Sequence, residues 1–260
     1  MDEYRLKEDI VEVGRRMYQR QFVASNDGNI SIKLSENEYL ITPTGISKGY
    51  MAPGDIIKVD SAGNVISGGR KPSSEIKMHM EVYRNRPDVF SVCHAHPQKA
   101  TAFAVTRQVC DKIVLPEVIF SIGNVALADY ATPSTAQLPE SIREIVKKTD
   151  AILLANHGAL TVGADVYDAY YKMETLEHYF GIILYARQLG GEYGLSPDQI
   201  SDLMQVRRDV FGKTDIGFPG DRYCNGTAAR EARKNDEEEQ MQKMIERITD
   251  SVMSSLKVRI

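Results

Sequence analysis

Two histidines one residue apart, His94 and His96 in "SVCHAHPQ", are the first residues of this chain whose spacing could do chemistry. On a β-strand, side chains alternate faces. The pair therefore projects to one side, about 6–7 Å apart along the backbone, close enough for both imidazoles to reach one metal ion. Imidazole is a favoured ligand of zinc and other first-row cations, and a catalytic centre takes three protein ligands and leaves a position open. The third candidate is His157 in "AILLANHGALTVG", where a glycine-containing turn between two apolar strands would let a side chain project from a rigid edge. His79 and His178 sit in helical patterns amid charged residues, so surface or packing roles are expected for both. Taken alone, His94 and His96 also read as ordinary strand histidines.

Other stretches suit an anion. In "KPSSE", Ser73, Ser74 and Glu75 stand at an expected helix start, where free N–H groups and the positive end of the helix dipole favour a phosphate. A plain N-cap is the alternative reading. The loops "SNDGNIS" and "TPTGISKG" place Gly28 beside Asn29 and Thr44 beside Gly45. Their glycines let a ligand approach the backbone, and their side chains donate hydrogen bonds. One at a time, these are ordinary turns.

The elements that must position these groups follow from periodicity. Leu6, Ile10, Val13 and Met17 predict a first helix over about Tyr4 to Gln19. "NISIKL", "YLIT", "IIKVD" and "NVIS", separated by turn signals, predict an antiparallel meander. A helix is expected from near Ser73 to just before Pro87, since a residue ahead of proline disfavours helical dihedrals. The histidine strand comes next. "DKIVLPEVIF" and "NVAL" read as strands, "QLPESIREIVKK" as a helix, "AILLA" and "ALTVG" as two strands around a turn, and "DVYDAYYKMETLEHYFGIILYARQLG" and "SPDQISDLMQVRRDVF" as helices. The fold class is α/β, with a central, mainly antiparallel sheet flanked by helices. The expected domain spans residues 1–215. Residues 216–238 are rich in glycine, charge and small side chains and read as a flexible linker. In 239–260, Met241, Met244, Ile245, Ile248, Val252 and Leu256 form one apolar stripe, the pattern of a tethered amphipathic helix.

The composition narrows the function. At 260 residues the chain can bury a substantial core, and a net charge of -4 with dispersed basic residues gives no nucleic-acid-binding face. No apolar run has the length of a membrane span, and the charged amino terminus lacks the pattern of a secretory signal. Three cysteines, Cys93, Cys110 and Cys224, show no C-x-x-C pairing and suit a reducing, cytoplasmic setting.

In the order "GN-S", "TPTG", "PSSE", "H-H" and "NHG", the chain resembles the class II aldolase/adducin superfamily over about residues 5–215, and specifically its fuculose-1-phosphate aldolase branch. That resemblance implies a homotetramer with sites at subunit interfaces and one Zn2+, or another divalent ion, per subunit. His94, His96 and His157 would ligate the metal and Glu75 would be the acid/base carboxylate. Asn29, Thr44, Gly45, Ser73 and Ser74 would bind the substrate phosphate. The implied reaction is cleavage of L-fuculose 1-phosphate, or a related deoxyketose 1-phosphate such as rhamnulose 1-phosphate or 5-deoxyribulose 1-phosphate, to dihydroxyacetone phosphate and lactaldehyde or another small aldehyde. One departure stands out: the stretch where that branch carries an assisting tyrosine reads "IVLPEVIFSIGN" and has none. Glu117 lies nearly where related methylthioribulose-1-phosphate dehydratases carry a catalytic glutamate, so it is either a proton-transfer group or an exposed strand-end carboxylate. Tyr223 is either a residue that reaches a site or part of a tail.

Three alternatives stay open at this level: the dehydratase, a ribulose-phosphate 4-epimerase, whose branch has Asp where Glu75 stands, and a non-catalytic adducin-like interaction domain. The stripe at 239–260 resembles the encapsulation peptides that direct enzymes into bacterial microcompartments, which would make a shell protein its partner. Packing on the chain's own tetramer and a solvated tail are the alternatives.

Overall fold

The computed structural model describes residues 2–108 and 112–212. The expected linker at 216–238, the helix at 239–260, and Tyr223, Cys110 and Cys224 lie outside the described residues.

Helix α1 (Glu3–Gln19) starts where Asp2 accepts a hydrogen bond from the Tyr4 N–H, and it buries Ile10, Val13 and Met17 as its spacing predicts. The meander follows as β1 (Asn29–Ser35), β2 (Glu38–Ile41), β3 (Ile57–Val59) and β4 (Val65–Ser67). Helix α2 (Ile76–Asn85) leads into the histidine strand β5 (Ser91–Ala95) and helix α3 (Gln98–Thr106). Then come α4 (Pro116–Ser121), β6 (Val125–Ala128), α5 (Gln137–Ile142), β7 (Ala151–Leu154), β8 (Gly158–Gly163), α6 (Val166–Gln188) and α7 (Pro197–Phe211).

The eight strands form one sheet in the order β4-β3-β2-β1-β5-β8-β7-β6, antiparallel except at the β6–β7 pair. β5 is interior, bonded to β1 and to β8. Helices cover both faces. Cys93 and Ala95 pack with α1, α3 and α6, while Val92 packs with α2 and α5 on the other side. That double coverage explains why "AILL" and "SVCHA" are buried at every position rather than at alternate ones. His94 belongs to the α2 face, because side chains two apart share a face.

Two expectations change. "DKIVLPEVIF" is not a strand: its second half is α4, with Pro116 in the first turn. Proline at a helix start gives up no hydrogen bond and brings a preset φ, and the helix it opens turns Val118 and Ile119 inward. Glu117 therefore lies on a helix rather than at a strand end. The helix expected over "QLPESIREIVKK" ends at Ile142 and continues as turns, with the Val146 carbonyl accepting from the buried Arg86 guanidinium. No described helix is long and apolar enough to cross a membrane.

Candidate metal centre and its carboxylate

His94, His96 and His157 come together although 63 residues separate the first from the last. Each offers a ring nitrogen, and these atoms lie within 4.8 Å of one another. His94 and His96 arrive on β5 and just past its end; His157 arrives on the tight turn joining β7 to β8. In that turn Asn156 takes a left-handed φ of 56°, and the His157 N–H donates to the Leu154 carbonyl. Gly158 completes it: a Cβ there would stand 2.5 Å from the Ala95 carbonyl oxygen and 2.5 Å from the His96 ring, so only glycine lets the turn approach β5 this closely.

The remaining contacts orient the rings. His94 Nδ1 lies 2.9 Å from the Ala159 carbonyl, which takes the ring proton and leaves the Nε2 lone pair facing the cluster. His96 Nδ1 is 3.4 Å from Asp27, its Nε2 is 3.2 Å from His94 Nε2, and its backbone N–H donates to the Phe22 carbonyl. Two nitrogens binding one zinc ion tetrahedrally at 2.0–2.1 Å are about 3.3 Å apart. The His94–His96 separation fits that edge.

Glu75 stands at the start of α2, with Oε2 3.3 Å from His94 Nε2 and Oε1 3.3 Å from His157 Nε2. Glu75 Oε1 and His157 Nδ1 are buried and make no hydrogen bond among the described residues. Buried polar atoms rarely go unsatisfied. Orphaned donors and acceptors around converging imidazoles are the arrangement a cation would complete, and the donor set fits one.

Electrostatics fix the charge on Glu75. Burial alone would raise the Glu75 pKa, but His94, His157 and the Asn29 amide hold it well below the usual carboxylate range, so Glu75 is anionic. Burial disfavours a charged His94, yet the adjacent carboxylate outweighs it and raises that pKa. His157 is pushed down to about 4 by burial and by the charge on His94.

The phosphate candidates flank this cluster. Asn29 opens β1 directly opposite His94. The Thr44 N–H donates to the Lys71 carbonyl and the Ser73 N–H to the Thr42 carbonyl, with Pro43 and Pro72 bridged between them, so "TPTG" and "PSSE" are zipped side by side. Thr44, Gly45 and Ser74 are exposed there; Gly45 has φ of 76° and nothing within 4 Å of where a Cβ would stand. Ser73 is buried, and its Oγ accepts from the Glu75 N–H. The buried Lys48 ties two of the loops together, donating to the Asn26 carbonyl at 3.0 Å and the Ile46 carbonyl at 2.8 Å.

Glu117 is not brought to this cluster. It is exposed and lines a cleft of about 750 Å3 with Arg20, Lys99, Glu174, Glu177 and His178. Of the two histidines given surface or packing roles, His178 is exposed and His79 is fully buried, hydrogen-bonded to Asn29 and Ser31. The sequence did carry a signal for it: Glu75 and His79 are four residues apart, the spacing that puts two side chains on one helix face.

Residues 8–184 match the family model of the Class II Aldolase and Adducin N-terminal domain. The chain belongs to that family. Its relatives include an L-fuculose phosphate aldolase of Methanococcus maripaludis, 37% identical over 169 residues, which are 65% of this chain and 91% of the relative. A 3-oxo-tetronate 4-phosphate decarboxylase of Pectobacterium atrosepticum is 32% identical over 205 residues, 77% of this chain and 93% of that one. A solved structure of L-fuculose 1-phosphate aldolase superimposes with a TM-score of 0.70 at 28% identity, covering 77% of this chain and 94% of the other.

Proposed function

We propose that this chain is a metal-dependent lyase that breaks a carbon–carbon bond in a small phosphorylated sugar, with aldol cleavage of L-fuculose 1-phosphate or a related deoxyketose 1-phosphate as its reaction. The observation that carries this reading is the placement of Glu75, anionic and 3.3 Å from both His94 and His157. A divalent cation held by His94, His96 and His157, zinc by preference for such a donor set, supplies Lewis-acid stabilisation of the charge that develops when the bond breaks.

The chain's own groups do the rest. In the synthetic direction Glu75 removes a proton from the hydroxyl-bearing carbon of dihydroxyacetone phosphate, and in cleavage it returns that proton to the same carbon. The Asn29 amide donates to Glu75 Oε2 at 2.8 Å and steadies the carboxylate between the two tasks. The zipped loops carrying Thr44, Gly45, Ser73 and Ser74, with Asn29 beside them, hold the phosphate, which fixes the reacting carbons against Glu75.

Decarboxylation of a 3-oxo-tetronate 4-phosphate is the second reading, favoured by the longer match to the Pectobacterium relative. The two reactions share their centre. Loss of CO2 from that acid and loss of an aldehyde from a ketose 1-phosphate both leave the electron pair on the carbon next to the ketone, giving the enediolate of dihydroxyacetone phosphate. Only the leaving group differs. The dehydratase reading relied on Glu117, which lines a different cleft.

The assembly is expected to be a homotetramer, and residues 239–260 to direct it to a microcompartment shell through their apolar stripe. The deciding experiment follows dihydroxyacetone phosphate release by the zinc-loaded protein from fuculose, rhamnulose and 5-deoxyribulose 1-phosphates and from 3-oxo-tetronate 4-phosphate. Methylthioribulose 1-phosphate serves as the dehydration control. Aldehyde release supports the aldolase and CO2 release the decarboxylase; no dihydroxyacetone phosphate from any of them overturns the lyase reading.

A further inference from the structure

A continuous chain of buried hydrogen bonds runs from Glu75 into the core. Glu75 Oε2 accepts from Asn29 Nδ2 at 2.8 Å, Asn29 Oδ1 is 2.5 Å from His79 Nε2, His79 Nδ1 is 2.6 Å from Ser31 Oγ, and Ser31 Oγ is 2.7 Å from Tyr83 Oη. His79, Ser31 and Tyr83 are all buried, so among the described residues these groups satisfy one another.

The direction of each bond is forced. A carboxylate only accepts, so the Asn29 amide must turn its NH2 to Glu75 and its oxygen to His79. That oxygen needs a donor, so the proton of the neutral His79 ring is on Nε2. Nδ1 is then a lone pair and takes the Ser31 hydroxyl proton, and Ser31 Oγ in turn accepts from Tyr83. No group in the chain can reverse without setting two acceptors against each other.

We propose that His79 is a positioning residue for the reaction: its Nε2–H clamps the Asn29 oxygen, which keeps the Asn29 NH2 aimed at the Glu75 carboxylate, and Ser31 and Tyr83 hold His79 in the tautomer this requires. Without the clamp the amide can rotate and present its oxygen to Glu75, repelling the carboxylate from the place where proton transfer occurs. The inference rests on the lyase reading for its kinetic consequence, but the hydrogen-bond direction stands apart from it.

The tests follow that division. In the full-length protein labelled with 15N-histidine and free of substrate, ring-nitrogen NMR should show His79 protonated at Nε2 and bare at Nδ1. The opposite tautomer overturns the proposal whatever the enzyme catalyses. Kinetically, H79Q can place an amide N–H near the Nε2 position, whereas H79N reaches only the Ser31 side. With an active substrate, H79N should lose on the order of 10- to 100-fold in kcat with KM within about threefold, and H79Q should restore most of the loss. Y83F should fall between them. Melting temperatures and zinc content separate misfolding or metal loss from mispositioning. Equal kcat in folded, zinc-loaded H79N and H79Q overturns the proposal. Should the variants fail to fold, the tautomer decides alone. A correct tautomer with no lyase activity on any phosphate would sink the lyase reading and leave the clamp standing.

Discussion

Asn29 and His94 are register partners across β1 and β5. The amide that faces Glu75 and the imidazole that faces it from the other side are therefore set by one pair of backbone neighbours rather than by loops. The sheet fixes their separation before any ligand arrives, which is what a site needs if its groups are to be held within a fraction of an ångström.

His94→Ala removes the best-held ring of the three. Purified protein should then lose its bound metal, with affinity for zinc falling at least about 100-fold by chelator competition, and turnover should vanish with it. Wild-type activity in a metal-free H94A protein would reject the three-histidine centre.

Glu75→Gln keeps the shape and removes the charge. Zinc content by elemental analysis should stay near that of the unaltered protein, while kcat should fall about 10²- to 10⁴-fold, the range for losing a general acid/base. Exchange of the dihydroxyacetone phosphate carbon-bound proton with solvent deuterium, followed by NMR, should stop in this variant.

Gly158→Ala probes the close approach of the turn to β5. Its methyl group would stand 2.5 Å from the His96 ring and from the Ala95 carbonyl, and the latter is backbone that cannot swing away. The ring should be pushed from its place, weakening zinc binding about 10- to 100-fold in the same competition assay.

How much of this was legible in the sequence depends on whether the signal was local. The H-x-H pair, the meander and the His157 turn were readable because strand alternation and glycine turns act over a few residues. α4 was misread because apolar runs as short as "IVLPEVIF" look alike in strands and buried helices. There the proline marked a helix start rather than an interruption. His79 was readable as a packed residue, but its partners Asn29 and Ser31 lie about 50 residues away, brought to it only by the sheet.

Lys48 gives a pH signature. Burial pushes its pKa down to about 8 from an ordinary 10.5, partly opposed by Asp27. Between those values the unfolded chain binds more protons than the folded one, so this group makes stability rise with pH from about 8 to 10.5. Below that window the buried charge costs on the order of 3 kcal/mol as an upper bound. Urea unfolding at pH 7.5 and 9.5 should show the rise in the unaltered protein and a smaller one in K48M. Because Lys48 joins two candidate phosphate loops, K48M should also raise KM for a phosphorylated substrate.

Deleting the chain from Gly226 onward tests the tethered stripe. Cleavage should be unchanged, and co-purification with microcompartment shells should be lost; packaging of the truncated protein would refute the assignment.

The unequal anchorage of the three imidazoles has a kinetic corollary. Two are carried by or beside a strand that is hydrogen-bonded along both edges, which can loosen only when the sheet itself comes apart. The third rides on the three-residue turn between β7 and β8. A cation entering or leaving would therefore do so through small swings of that turn, with β5 as a fixed wall, and the speed of metal exchange would follow the stiffness of residues 155–157.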